Sequence, residues 1–309
     1  MNKTKVICLT PIKNEAWILD KFLAATSLWA DHIIIADQMS DDGSREIAKK
    51  YPKVILIDNK SKVFNEPERQ KLLIEESRKI EGKKLLIALD ADEFISGNAF
   101  STEEWASMLS ADPGTVFKFK WPFIASNFKQ YWAGADANMP FAYMDDGAEH
   151  TGRAIHSTRI PSPKASPTRK LNDFVVMHYQ FTDWQRMESK HRWYQCFERI
   201  QFPEKSVIEI FRRYNHMYQI SEQDKRNVPA KWFSFYSENG VDISSVEISG
   251  NYYWDKEVEH FIKEYGQRYF KYMDLKENNN LLLAYLRATR EWKYSILEKA
   301  FDKYLGGIR

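Results

Sequence analysis

The sequence predicts an α/β protein, a doubly wound and mostly parallel sheet followed by a helical carboxy-terminal extension. Three observations predict it. Short aliphatic runs, Lys5–Thr10, His32–Ala36, Val54–Ile57 and Lys83–Leu89, alternate with segments of helical spacing, the pattern of successive β-α-β units. These runs are apolar almost throughout, as strands buried on both faces are. From Asp183 onward, apolar residues recur at helical spacing with charges between them.

Taken in order, Lys5–Thr10 is a first strand closed by Pro11, and Asn14 and Glu15 start a helix with Trp17, Ile18, Phe22 and Leu23 as its apolar positions. His32–Ala36 is a second strand ending at Asp37. A turn-rich loop over 38–44 leads to a helix from about Arg45 to Lys50. Val54–Ile57 is a third strand and Pro67–Lys79 a helix. The fourth strand runs into Asp90-Ala91-Asp92-Glu93, so an apolar run ends in three carboxylates. Strand alternation would put Asp90 and Asp92 on one face at the carboxyl edge of the sheet, where α/β sheets bind ligands. Two desolvated carboxylates repel one another, and a divalent cation with oxygen ligands would relieve that cost.

Beyond this point Thr115–Trp121 alternates apolar and basic residues as a half-solvated strand, and Pro122–Tyr143 is aromatic and turn-rich, with Trp132 in it. Ala154–Ser157 and Phe174–Tyr179 read as short strands that carry His156 and His178 near their ends. The basic, proline-rich stretch Pro161–Lys170 between them, with Lys164, reads as a loop. Helices are expected over Trp184–Ile200, Val207–Tyr218, Lys256–Tyr272 and Leu281–Tyr304. The last has Trp292, Ile296, Leu297, Ala300, Phe301 and Tyr304 on one side, a stripe suited to a core or a homodimer contact.

Composition narrows the function. A net charge of +2 from 45 basic and 43 acidic residues argues against nucleic acid as a partner. Cys8 and Cys196 make neither a disulfide framework nor a zinc set. The apolar stretch before Pro11 is too short for a signal peptide, and no run of 18 apolar residues occurs. The expectation is a cytoplasmic protein, with peripheral contact at the inner face of a membrane left open. The turn after the first strand lacks the glycines of dinucleotide-binding and P-loop sites.

Thr10-Pro11-x-Lys13-Asn14-Glu15, Asp37-x-x-Ser40-x-Asp42-Gly43-Ser44, Arg69 and Asp90-Ala91-Asp92 resemble the family 2 glycosyltransferases of the GT-A fold. No Gln-x-x-Arg-Trp follows, so the resemblance is to the non-processive, bacterial type. It implies a GT-A-type catalytic domain over 1–182, with a nucleotide half (1–95) and an acceptor half (96–182), and a helical extension over 183–309. By the same resemblance Thr10, Pro11, Asn14, Glu15, Asp37, Arg69, Asp90 and Ala91 bind the nucleotide. Asp92, with Asp90 and His178, holds Mn2+ or Mg2+. His156, Trp132 and Lys164 are candidate acceptor or phosphate contacts. The family's Gly-Glu-Asp base motif is replaced here by Met144-Asp145-Asp146-Gly147, so the candidate general base is Asp145, Asp146 or, close by, Glu149. The implied activity is metal-dependent, inverting transfer from a nucleoside diphosphate sugar, UDP-linked by preference, to a hydroxyl of a glycan or lipid-linked glycan precursor. Two alternatives stand beside it: a nucleotidyltransferase that makes sugar nucleotides, and a non-catalytic protein that binds nucleotide sugars or glycans.

Overall fold

The computed structural model describes residues 3–61, 64–152, 157–248 and 250–289, with the side chains of 134–137 left aside. The chain divides into two compact units, Met1–Thr182 with Asn227–Ile248, and Asp183–Arg226 with Ser249–Arg309. A return of 227–248 to the sheet unit was not expected from a sequence boundary at 182.

The first unit is built from β1 (Lys5–Ile12), α1 (Ala16–Ser27), β2 (His32–Asp37), α2 (Ser44–Ala48), β3 (Val54–Asp58), α3 (Glu66–Arg78), β4 (Lys84–Ala88), β5 (Glu93–Ile95), α4 (Glu103–Leu109), β6 (Val116–Ile124), β7 (Gln130–Met144) and β8 (Thr168–His178). The main path of the sheet runs β3-β2-β1-β4-β7-β6-β8-β5. The first four strands pair in parallel, whereas β7 runs antiparallel to both β4 and β6, and β5 runs antiparallel to β8. The fold is therefore mixed α/β, parallel in its first half and interrupted by reversed strands in its second.

Period-two alternation explains the two layers. Val6, Cys8, Ile33, Ile35, Leu85 and Ile87 face the layer that receives Leu19, Phe22 and Leu23 of α1. Ile7, Leu9, Ile34, Ala36, Leu86 and Ala88 face the layer that receives Leu73 and Ile74 of α3. Helices thus cover both faces of the parallel half, and its apolar strands need no polar side. Burial also pushes the Cys8 thiol up to about 12, so it is an inert core residue.

The segment Lys231–Glu238 forms a helix that the sequence reading did not anticipate; it follows in chain order the helices α5 (Trp184–Gln201) and α6 (Val207–Asn215) and is labelled α7. It inserts Trp232 and Tyr236 into the α1-side core, and the Tyr236 hydroxyl donates to the Ile95 carbonyl at 2.6 Å. Gly97 lets it approach. A Cβ there would come within 2.9 Å of Phe235 Cβ and 3.2 Å of the Trp232 carbonyl oxygen. Gly97→Ala is expected to cost about 1–3 kcal/mol through overpacking, read as a lower urea midpoint.

In the second unit, Asp183 caps α5 by accepting from Arg186 N–H at 3.0 Å, and the Tyr252 hydroxyl donates to the same carboxylate at 2.9 Å. Helix α5 packs on α6 and on α8 (Tyr253–Tyr265), and α6 on α9 (Leu281–Thr289) through Ile208, Phe211, Leu283 and Leu286. Gly266, at φ +83°, ends α8 earlier than the apolar spacing suggested. The stripe from Trp292 to Tyr304 lies outside the described residues. Among the described residues no helix is long and apolar enough to cross a membrane.

Candidate functional site

Strand β4 stops at Ala88, and Asp90-Ala91-Asp92 is a turn rather than the strand end that the sequence suggested. The Glu93 N–H closes it on the Asp90 carbonyl at 3.0 Å. The Glu93 carboxylate folds back and accepts from Asp90 N–H at 2.8 Å. Helix and strand neighbours hold the turn at the carboxyl edge of the parallel strands, where Leu89 N–H donates to the Leu9 carbonyl and Tyr179 N–H to the Asp92 carbonyl. Ala91 is 2% exposed and belongs to the core, so its side chain faces apolar neighbours and not a nucleotide.

The turn gathers residues from four distant parts of the chain. His178 pairs with Glu93 across β5–β8 and with Phe123 across β6–β8. Its Nε2 lies 3.6 Å from Asp92 Oδ2, and its ring stacks on Trp121 with centroids 4.6 Å apart and planes 11° off parallel. Arg159 forks across the acids, with Nη2 2.9 Å from Asp90 Oδ2 and Nη1 bonded to Glu93 Oε2. The same guanidinium lies over Trp121 and Phe141, at 5.7 and 5.4 Å from the ring centroids. Burial pushes the Glu93 carboxyl up, and the Arg159 charge pulls it back. Burial alone would lower Arg159, but Asp90 and Glu93 hold it above its ordinary value.

Among the described residues, Asp90 Oδ1, Glu93 Oε1, His178 Nδ1 and Trp121 Nε1 are buried in this cluster without a hydrogen-bond partner. Buried polar atoms are nearly always bonded, so such a group points to a ligand, ion or water. Of the donors that the resemblance implies, Asp92 Oδ2 and His178 Nε2 lie 3.6 Å apart, a carboxylate oxygen and an imidazole nitrogen, and both are donor types that a divalent cation takes. Among the described residues no group of three such ligands gathers at one point. A site with one or two carboxylates completed by substrate phosphates is ordinary for Mg2+.

The nucleotide-binding candidates occupy the same edge but are largely engaged with one another. Asn14, at φ +58°, donates its N–H to Ser40 Oγ and exchanges two bonds of 2.9 Å with Asp41. Glu15 N–H donates to Ser44 Oγ, and Glu15 Oε2 accepts from Trp17. Asp37 is 1% exposed and accepts from Arg45 at 2.6 Å and from Ser40 N–H. Arg45 also reaches Asp58 at 2.8 Å. In the structure these residues clasp the loops after β1 and β2 and hold them in place. Thr10 is buried within β1 beside Cys8, and Pro11 continues that strand instead of closing it. Arg69 stands over Phe64 at 5.0 Å, and among the described residues its Nε and both amide atoms of the neighbouring Gln70, 1% exposed, have no hydrogen-bond partner.

Other assignments are corrected by strand direction. Asp145 N–H donates to the Lys84 carbonyl, at the start of β4, so Asp145 and Asp146 sit at the amino edge. Six residues of β4 and its exit separate them from Asp90, roughly 20 Å at a strand's rise. Asp145 is bonded to Arg78 at 2.8 Å, and Asp146 takes the Tyr143 hydroxyl and Ala148 N–H. Burial raises the Asp146 carboxyl, but those donors bring it below the usual range. Glu149 is exposed beside Ala148, whose carbonyl accepts from Arg78 at that same edge. Trp132 is 5% exposed and packed between Phe123 and Phe181, so it is core and offers no open platform. Lys164 is exposed in a turn before β8, whose start pairs with Val116 while its end pairs with Phe123. That places it some seven strand residues, roughly 20 Å, from His178. His156 lies outside the described residues.

Sequence reasoning missed Glu93 as a site residue although it adjoins the acid pair. It also missed Arg159, Trp121 and Gln70, for which no local pattern existed. A separate cleft of about 220 Å³ in the helical unit is lined by His191, Tyr214, Tyr218 and Asp274 among others, and there Arg287 neutralises Asp274 at 2.7 Å.

No family model and no curated protein matches this chain. Among solved structures it is similar to a 4-diphosphocytidyl-2C-methyl-D-erythritol synthase, at 15% identity over 30% of this chain and 48% of that one, with a TM-score of 0.24. It is also similar to a mannose-6-phosphate isomerase from Helicobacter pylori, at 16% identity over 41% and 55%, with a TM-score of 0.29. The chain spans about half the length of each, and likeness of that size says nothing about function.

Proposed function

We propose that this protein is a metal-dependent, inverting glycosyltransferase of GT-A type, which moves a sugar from a nucleoside diphosphate donor, UDP-linked by preference, to a hydroxyl of a glycan or lipid-linked glycan precursor. The observation that carries the reading is the meeting of Asp92 and His178 beside the unpartnered carboxylate oxygens of Asp90 and Glu93, at the carboxyl edge of β4. In this reading Asp92 and His178 hold Mn2+ or Mg2+, and Asp90 reaches the ribose or a metal-bound water. The cation, when bound, supplies Lewis-acid stabilisation to the departing diphosphate. Trp121 fixes the plane of the His178 ring by stacking on it, and with Phe141 it lies against the Arg159 guanidinium.

The acids at 145, 146 and 149 stand at the other edge, so in this reading the acceptor's proton has to pass to a group other than these three. That observation favours one second reading, a protein that binds a nucleotide sugar without transferring it.

A panel of nucleotide sugars incubated with protein and Mn2+ separates the readings. Release of nucleoside diphosphate from one donor is the expected result. Binding without release would establish the second reading. Pyrophosphate formed from a sugar phosphate and a nucleoside triphosphate would overturn both in favour of nucleotidyl transfer.

A further inference from the structure

We propose that Arg159 is a resident counter-cation of the acid turn, which disfavours a lone divalent cation and swings one arm onto the donor diphosphate when that anion arrives. The inference rests on the proposed function and deepens it. Two features carry it, the fork of Arg159 over Asp90 and Glu93 and the unequal burial of those two acids.

Glu93 is fully buried, and its side chain has no exit to solvent. The Nη1 arm of Arg159 on Glu93 is therefore an anchor. Asp90 keeps 28% side-chain exposure and Arg159 19%, so the Nη2–Asp90 contact lies at the mouth of the cluster. A diphosphate oxygen can take the place of Asp90 Oδ2 on the Nη2 arm, from a group with more negative charge. Arg159 can then exchange Asp90 for phosphate without leaving Glu93. The backbone around it is fixed for such a hinge, since Ser157 N–H is held by Glu66 at 2.7 Å and Ile160 is buried in the α3-side core. The aromatic faces of Trp121 and Phe141 beneath the guanidinium support either position without holding a specific bond.

The charge balance follows. Asp90, Asp92 and Glu93 present three carboxylates, and Arg159 cancels one of those charges from within. A divalent cation arriving alone meets a weakened field and a guanidinium in the same turn. Arriving with a diphosphate, it meets an anion that also draws the Nη2 arm away from Asp90. Cation and nucleotide binding are thereby coupled, and the coupling runs both ways.

Titrating the full chain with Mn2+ alone, and with Mn2+ in the presence of UDP, tests this by calorimetry without reference to turnover. In the wild type, UDP should tighten Mn2+ binding by about 10- to 100-fold, the usual range of such couplings. Arg159→Gln should bind Mn2+ alone at least about tenfold more tightly and lose most of the UDP enhancement. Arg159→Lys keeps the charge and loses the fork; it should leave binding of Mn2+ alone weak while reducing the enhancement, and it decides the matter if the glutamine variant does not fold. Unchanged affinity for Mn2+ alone in Arg159→Gln, with Mn2+–UDP binding still abolished in Asp92→Ala, would overturn this role and leave the transferase reading standing. No binding of Mn2+ to the wild type with or without UDP would remove both.

Discussion

Asp92→Asn is expected to reduce nucleoside diphosphate release from the accepted donor by about 10²–10³-fold, because several kcal/mol of charge stabilisation are at stake and each 1.4 kcal/mol is a factor of ten. The substitution keeps shape and removes charge. Asp92 is 3% exposed, and its backbone carbonyl, which accepts from Tyr179 at 2.8 Å, is untouched by the change. The amide can still face His178. Loss of activity would then report the lost ligand charge and not a lost fold, provided that the melting temperature stays near that of the wild type. A chelator added to the wild-type protein should reproduce the loss, and excess Mn2+ should restore it. Full activity in Asp92→Asn, or in the presence of the chelator, would sink the metal-dependent mechanism.

Arg78→Ala should do the reverse and lower stability while sparing donor turnover. Arg78 ends α3 and donates to Asp145 at 2.8 Å and to the Ala148 carbonyl at 2.8 Å. The Asp145 side chain is only 7% exposed, so truncating Arg78 leaves a nearly buried charge without its partner. Breaking a fully buried pair costs about 3–5 kcal/mol, and Arg78 retains some exposure, so about 2–3 kcal/mol is expected in urea unfolding. Asp145→Asn should fall on the same side, with a smaller loss because an amide still accepts from the guanidinium. A collapse of turnover in Asp145→Asn with stability intact would make Asp145 a candidate base and count against its placement at the amino edge of the sheet.

The parallel half of the sheet was legible in the sequence because its physics is local. Val6 to Leu9, Ile33 to Ala36 and Leu85 to Ala88 are apolar at every position, and only strands covered on both faces accommodate that. The acid turn was legible because Asp90, Asp92 and Glu93 adjoin one another in the chain. The loops after β1 and β2 were legible as a unit, but the bonds of Asn14 to Asp41 and of Asp37 to Arg45, which clasp those loops, were not. The stretch 122–143 reads as turn-rich in the sequence, yet most of β7 comes from it, because β4 and β6 supply partners on both sides.

The sequence by itself determined which residues are apolar on both faces of a strand and which acids lie side by side at the exit of β4. Only the tertiary structure decided the direction of β7, which carries Asp145 and Asp146 to the far edge, and the arrival of Arg159 at an acid 66 positions away. The reason is physical. Periodicity and adjacency are properties of the chain within a few residues, whereas strand direction and the partner of a buried charge are settled by hydrogen bonds and Coulomb forces between segments that meet only once the core has closed.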